Sequence, residues 1–416
     1  MHCNSTVLVT TNDHTYGVTF VWIGQNQCDT LFTLCLTMCP MGIHLWIDTD
    51  AGVDDCLALI AALTNPSVTV HGISCTYGNI SRDAVVTNVR RTVRACQGVR
   101  PGLDAPPIYL GESRGLSDFN AQHLKKGLTP WSTGSADHDC WHGTDGLGGV
   151  PGIEETLAVA CGLSLPPLPA YVEDTSVCYD ALHTAATAVR EMGETLRVVA
   201  IGPLTDMHHA ALRHPDLPGL IHLYVMGCSF PELHPYCTKP ILRGNMVSFN
   251  MPHTEHNTAC DPEASASSLS LYPCTVVDWA LTALNPLTMG GYDALHGHYP
   301  YTPGTASKGV PFLTQFHRHV SEHLRGKCEP YGEFQICDPL AVLVAMDGTL
   351  VEGSVRGECT VNTSHEGVTL PVPKGVEMMY GRSVLQVDTQ GSCEVVTKVD
   401  YDTCVQTLKS ALEYRE

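Results

Sequence analysis

Ile47-Asp48-Thr49-Asp50-Ala51-Gly52-Val53-Asp54-Asp55 puts four carboxylates within eight residues, where the apolar run Ile43 to Ile47 gives way to the helical pattern Cys56 to Leu63. A strand that ends in polar residues and leads straight into a helix opens a β-α unit. Carboxylates this crowded repel by roughly 3–4 kcal/mol per pair at ~5 Å and an effective dielectric near 20. Protonation, hydrogen bonding or a cation relieves that repulsion, and an all-oxygen donor set favours calcium or magnesium over zinc. A plainer reading puts Asp54 and Asp55 at a helix N-terminus, where the dipole welcomes negative charge; it leaves Asp48 and Asp50 unexplained. The spacing is not that of an EF-hand, since a loop begun at Asp48 has Gly52 fifth, Val53 sixth and Leu59 twelfth.

Outward from this stretch, strand and helix signals alternate. A helix is expected over 54–64, a strand over Val68–Ser74 leading into Thr76-Tyr77-Gly78-Asn79, and a helix over about 82–96. Strand 196–201, helix 204–213, strand 221–226, helix 262–270 and strand 274–278 follow, then a β-rich part from about 353 and a final helix near 402–414. This order implies an α/β fold with a mainly parallel, Rossmann-like sheet covered by helices and a smaller β-rich C-terminal part. Ligands of such sheets bind beyond the carboxyl ends of the strands, where the polar motifs fall. Residues 98–140, 163–170 and 228–257 read as loops or insertions.

The 416 residues suffice for one large α/β domain. We assign 41–416 to a single domain and 1–40, which lacks sustained periodicity, to a poorly ordered N-terminal extension. A formal charge of −20 argues against a nucleic-acid or anionic-membrane surface and favours cations. Nineteen cysteines, an odd number with no CxxC pair, suit reduced thiols in a cytoplasmic protein better than a disulfide framework. No Lys or Arg precedes Arg82, so a signal peptide's basic region is missing, and the apolar stretch Leu31 to Cys39 is too short to span a bilayer.

Further polar segments follow in order: Asn79 after the second strand, His142-Gly143-Thr144-Asp145-Gly146-Leu147-Gly148, Ile201-Gly202-Pro203-Leu204-Thr205-Asp206, Thr254-Glu255-His256-Asn257 with Asp261-Pro262-Glu263-Ala264, and Cys337-Asp338-Pro339-Leu340-Ala341. Together with the opening aspartates they resemble the nucleoside hydrolase family, the inosine–uridine-type N-ribohydrolases, from about 43 to 414. The ordered set is far more specific than any one segment.

The resemblance implies Ca2+ bound by Asp50, Asp55, Asp338 and the backbone carbonyl of Ile201, with Asp50 also the general base and Asp48 a supporting group. It implies sugar contacts from Asp54, Asn79, Met226, Asn245, Glu255 and Asn257, with Asn250 competing for the place of Asn245. The implied reaction is attack of water on the N-glycosidic bond, releasing free base and ribose, in a homodimer or homotetramer. Cleavage builds an oxocarbenium-like charge on the ribose, which acidic neighbours favour.

The leaving base is less determined. His142 stands where the family often has a histidine, and serves either as the acid for the base or as a brace for its glycine loop. Many members carry histidine before the last calcium-binding aspartate; here that residue is Cys337, as in one subgroup, and an ordinary thiol is a poorer acid than imidazolium. His256 replaces an aromatic or bulky apolar residue; it reads as a solvent-facing loop histidine, with contact to the base or the 5′ hydroxymethyl group as the alternative. His317, His319 and His323 read as surface residues of a helix, and His208, His209, His296 and His298 as surface or loop. Trp131, Trp141 and Tyr331 read as core aromatics, with a base pocket as the alternative. Purine preference is expected. A non-catalytic, calcium-dependent nucleoside or ribose sensor stands as the second reading, because of Cys337. A magnesium-dependent phosphohydrolase stands third; the absence of Lys before Lys125 counts against it.

Overall fold

The computed structural model describes residues 42–120, 122, 141–234, 244–246, 250–366, 368, 372 and 375–415. The extension 1–40 and Trp131 lie outside the described residues. Gly42–Glu416 forms one compact unit.

Its strands are β1 (Ile43–Thr49), β2 (Val68–Cys75), β3 (Ile108–Leu110), β4 (Leu196–Ala200), β5 (Ile221–Met226), β6 (Cys274–Val277), β7 (Leu287–Thr288), β8 (Glu333–Phe334), β9 (Val351–Val361), β10 (Ser383–Val387) and β11 (Cys393–Val399). Its helices are α1 (Val53–Thr64), α2 (Arg82–Val99), α3 (Ile153–Cys161), α4 (Thr175–Glu191), α5 (Thr205–Arg213), α6 (His256–Cys260), α7 (Pro262–Leu271), α8 (Trp279–Leu284), α9 (Met289–Leu295), α10 (Phe312–Cys328), α11 (Cys337–Met346) and α12 (Tyr401–Leu412).

The main sheet runs β10-β9-β11-β6-β5-β4-β1-β2-β3. Its members from β3 to β6 pair in parallel, as does β11 with β6. The pairs β9–β11 and β9–β10 are antiparallel, so the β-rich C-terminal part extends the same sheet. Consecutive side chains of a strand face opposite ways. In β1, Leu45 and Ile47 accordingly enter one apolar layer and Trp46 the other. Both faces being covered is why the strand reads as an unbroken apolar run.

Five helices, α3, α4, α6, α8 and α9, escape the sequence reading. α4 is started by Asp174, whose side chain accepts from Ser176 N at 2.9 Å, and it buries a stripe of Cys178, Tyr179, Leu182, Ala186 and Val189. α3 begins and ends on left-handed glycines, Gly152 and Gly162. The segment 98–140, expected to be loop, contains the short edge strand β3, which pairs with β2. Among the described cysteines all thirteen are free, twelve of them buried.

Candidate active site

The first turn of α1 carries Asp54 and Asp55, and the first turn of α11 carries Asp338. The two helices pack together, so their N-termini converge and two positive dipole ends face one group of carboxylates. One oxygen from each of Asp54, Asp55 and Asp338 lies within 4.8 Å of the others. The tightest triple therefore includes Asp54, which the family resemblance places on the sugar, rather than Asp50. Asp50 stands beside it and accepts from Asn79 N at 2.7 Å and Asn79 Nδ2 at 2.9 Å. Asn79 Nδ2 also reaches Asp55 Oδ2 at 3.4 Å.

Local backbone chemistry makes this approach possible. Ala51 adopts a left-handed conformation with φ of 42°, which turns the chain sharply between Asp50 and α1. Its N–H is held by Thr49 Oγ1 at 3.1 Å, and Thr49 in turn donates to Asp55 Oδ1 at 2.5 Å. A Cβ at Gly52 would stand 2.7 Å from both Asn79 Nδ2 and His142 Nδ1, and one at Gly78 would collide with Asp50 Oδ2.

Burial, then neighbouring negative charge, pushes the carboxyls of Asp50 and Asp338 well above the usual range. Asp54 and Asp55 are raised by burial as well. Asp54 Oδ1 is buried without a hydrogen-bond partner. Oxygen-only donors, mutual repulsion and an orphaned buried oxygen fit a hard divalent cation. Beneath them, Asp48 accepts from Ser74 Oγ at 2.5 Å, and burial and then Asp206 raise its proton affinity. Asp206 is held by Glu112 N at 2.7 Å and Tyr179 Oη at 3.1 Å. Its role as the partner of Asp48 has no sequence signal beyond its place in Ile201–Asp206.

The opposite wall comes from β4, β5 and α6. Ile201 follows β4 and is tied to β1 by Ile201 N to Asp48 O at 2.8 Å. Asn257 Nδ2 donates to Met226 O at 3.0 Å and Ile201 O at 3.3 Å. Glu255 caps α6 by accepting from Asn257 N at 2.8 Å and Thr258 N at 3.0 Å, and burial lifts its carboxyl to about 7. Asn245 is exposed, with its N–H on Thr254 O at 3.2 Å; Asn250 is half-buried with φ of 60°.

His142 is half-buried, and its Nδ1 accepts from Val53 N at 3.0 Å and lies 3.8 Å from Asp54 Oδ1. Burial lowers its pKa to about 4. The glycine loop that carries it is fastened by Asn88, a buried α2 residue that sequence reasoning missed. Asn88 Nδ2 donates to Asp145 O at 2.8 Å and Ala51 O at 3.1 Å. Cys337 donates to Thr282 Oγ1 at 3.4 Å, and burial followed by the Asp54 charge keeps it a thiol.

Several histidine and aromatic assignments need correction. His256 is not a solvent-facing loop residue: it opens α6, is half-buried, has Nε2 3.7 Å from Cys260 Sγ, and is lowered to about 4 by burial. His317 and His319 are buried because α10 runs between α1, α3 and α12. His296 is buried too, with Nε2 2.9 Å from His317 Nδ1. Trp141 and Tyr331 are not core residues; they are 50% and 71% exposed, with ring centroids 6.5 Å apart.

Residues 45–406 match the family model described as inosine-uridine preferring nucleoside hydrolase. The non-specific ribonucleoside hydrolase RihC of Salmonella schwarzengrund is 27% identical over 275 residues, covering 62% of this chain and 72% of that protein. The pyrimidine-specific ribonucleoside hydrolase RihA of Klebsiella pneumoniae is 24% identical over 258 residues, 62% of each chain. Among solved structures, an inosine-guanosine nucleoside hydrolase superposes with a TM-score of 0.62 at 22% identity, covering 90% of this chain and 99% of that one. The purine-preferring ribonucleoside hydrolase from Gardnerella vaginalis gives 0.60 at 21% identity, with 89% and 98% covered, and both show a shared fold. With the family model spanning strand β1 to helix α12, the chain belongs to the nucleoside hydrolase family.

Proposed function

We propose that the protein is a calcium-dependent ribonucleoside hydrolase that splits the N-glycosidic bond to free base and ribose, with purine nucleosides such as inosine and guanosine preferred. The carrying observation is the convergence of Asp54, Asp55 and Asp338 within 4.8 Å, beside an Asp50 held by two bonds from Asn79. Asp50, Asp54, Asp55, Asp338 and the Ile201 carbonyl would hold the ion. Bound there, calcium supplies Lewis acidity toward the water and toward the vicinal hydroxyls of ribose.

Asp50, held by Asn79 N and Asn79 Nδ2, takes the proton of the incoming water. Asn79, Glu255 and Asn257 orient the sugar, and the surrounding carboxylates favour the cationic ribose as the bond to the base lengthens. A single displacement by water inverts the anomeric carbon. His142 is neutral at pH 7 and spends Nδ1 on Val53 N, so its proton sits on Nε2. It donates a hydrogen bond to the departing base rather than a stored proton. Trp141 and Tyr331, exposed beside it, form an aromatic rim suited to a flat bicyclic base.

The test is a panel of inosine, guanosine, adenosine, uridine and cytidine, assayed for reducing sugar with calcium and with chelator. Ribose released only with the ion, fastest from purines, supports the reading; faster release from uridine and cytidine removes purine preference. The thiol at Cys337 favours the sensor as a second reading. Calcium-dependent nucleoside binding without ribose release would establish it.

A further inference from the structure

A second cluster lies at the opposite end of the strands. α5 starts at the carboxyl end of β4, so its C-terminus falls at the amino end of the strands, away from the carboxylates. There His214 and Asp216 follow α5 and meet His183 of α4. One ring nitrogen from each histidine and one oxygen of Asp216 lie within 4.8 Å of one another.

The cluster is built rather than incidental. The two imidazoles stack with centroids 4.2 Å apart and planes 12° from parallel. His183 Nε2 is 3.0 Å from Asp216 Oδ2. The backbone of His214 is pinned on both sides, its N–H on Ala210 O at 2.8 Å and its carbonyl accepting from Leu217 N at 3.0 Å. Asp180 Oδ1 lies 2.8 Å from His214 Nε2, and Arg213 grips both oxygens of Asp180 at 2.6 and 2.7 Å. Asp180 is thus committed to the guanidinium and orients His214. A carboxylate that takes the second ring proton of a ligating imidazole is a recurrent metal-site arrangement. His183 and His214 retain 26% and 22% of their side-chain exposure and Asp216 67%, so solvent ions reach the donors.

We infer that His183, His214 and Asp216 form a second metal site that takes a borderline transition ion of the zinc class, clamping α4 to the connection between α5 and β5. Two imidazoles and one carboxylate match the nitrogen–oxygen donor set of tetrahedral zinc, with the fourth position left to water. Donors around such an ion stand about 3.3 Å apart, so ligation requires one of the two stacked imidazoles to turn out of the stack and bring its lone pair onto the ion. Calcium and magnesium, which demand oxygen ligands, are poorly served here. The chain's formal charge of −20 draws cations to the surface without selecting among them; the imidazoles select.

The experiment uses the full chain with calcium in excess, so that the carboxylate site does not take up the probe. Zinc is titrated into the wild type and into the double variant His183→Gln, His214→Gln, following heat, stoichiometry and melting temperature. The expected result is one zinc per chain and a higher melting temperature for the wild type, both lost in the double variant, with nucleoside turnover equal in the two. Asp216→Asn, a milder change at an exposed residue, should weaken zinc at least tenfold without altering circular dichroism. With copper(II) as probe, electron paramagnetic resonance should show coupling to two imidazole nitrogens. Equal zinc stoichiometry and affinity in wild type and double variant would overturn the site and assign the metal to other residues, the cysteines included. No zinc uptake by the wild type would overturn it as well, and would leave an ordinary His–Asp surface pair. Neither outcome touches the nucleoside hydrolase reading, which is scored by ribose release.

Discussion

Two regions bury carboxylates against the same helix layer, and they do so in opposite ways. On α2 and α3, Glu154 is gripped by Arg91 through two bonds of 3.0 Å and by Arg94 at 2.8 Å, while Arg94 also reaches Glu155. There burial is outweighed by hydrogen bonds and positive charge, and the Glu154 carboxyl is held below its usual range. Around Asp50, Asp54, Asp55 and Asp338 no Lys or Arg is paired with any carboxylate in the described structure, and every one is raised. Compensated charge is architecture. Uncompensated like charge, held at the N-termini of two packed helices, suits the ion and the oxocarbenium-like sugar of the proposed reaction.

Asp50→Asn should break that contrast most sharply. We expect kcat to fall by about 10²–10⁴-fold, the usual worth of a general base, while folding stability measured with chelator holds or rises because one repelling charge is gone. Steady-state kinetics with inosine and urea unfolding on the same preparation read both quantities. Near-normal turnover in a well-folded Asp50→Asn protein would remove the general-base assignment.

Glu154→Gln should do the reverse. Breaking a buried ion pair strands Arg91 and Arg94, at a cost of about 3–5 kcal/mol, yet kcat per folded molecule should stay within twofold. The sign in pH also differs from that of the active-site carboxylates. Because the folded pKa is depressed, the stabilisation is present above the unfolded value near ~4.3 and fades as pH falls through the folded one. A variant that unfolds no more easily than wild type at pH 7 would show that this cluster carries little of the fold.

Adding calcium is the next smaller effect. An ion that binds only the folded chain stabilises it by about 2.7 kcal/mol at a hundredfold excess over Kd. The melting temperature should therefore rise with calcium and fall with chelator in the wild type, and respond weakly in Asp338→Asn. An equal response in Asp338→Asn would mean that the ion sits elsewhere.

The same contrast explains what could be read before the fold was seen. Asp48 to Asp55 were legible because carboxylates at the end of an apolar strand break the composition around them, and the strands β1, β2, β4 and β5 because both faces of a parallel sheet are covered. Glu154 was not legible, since a lone glutamate followed by another on a short helix looks like an ordinary solvated surface. His296, His317 and His319 were misplaced for the converse reason. Polar residues on a helix suggest solvent, but α10 is enclosed on three sides, and His317 meets His296 at the end of α9 while His319 Nδ1 lies 2.8 Å from Gln315 O. Asn88 and Asp206 act through the loops they hold, a relation made by tertiary folding alone.

Glu255 sharpens the contrast at its smallest scale, because it combines the two situations. It accepts backbone N–H bonds from Asn257 and Thr258, which favour its ionised form, yet burial dominates and its carboxyl rises to about 7. The unfolded chain ionises this residue near ~4.3. A raised folded value means that its contribution to stability is complete below about 4.3 and is lost as pH climbs through about 7. With chelator present, wild-type stability should therefore drop by roughly 2 kcal/mol between pH 5 and pH 8 through this one group. Glu255→Gln, neutral at every pH and still able to accept both backbone bonds, should flatten that part of the slope while weakening sugar binding as a higher KM. If the pH slopes of wild type and Glu255→Gln coincide, the carboxyl is ionised throughout, and the N-cap bonds rather than burial decide its charge.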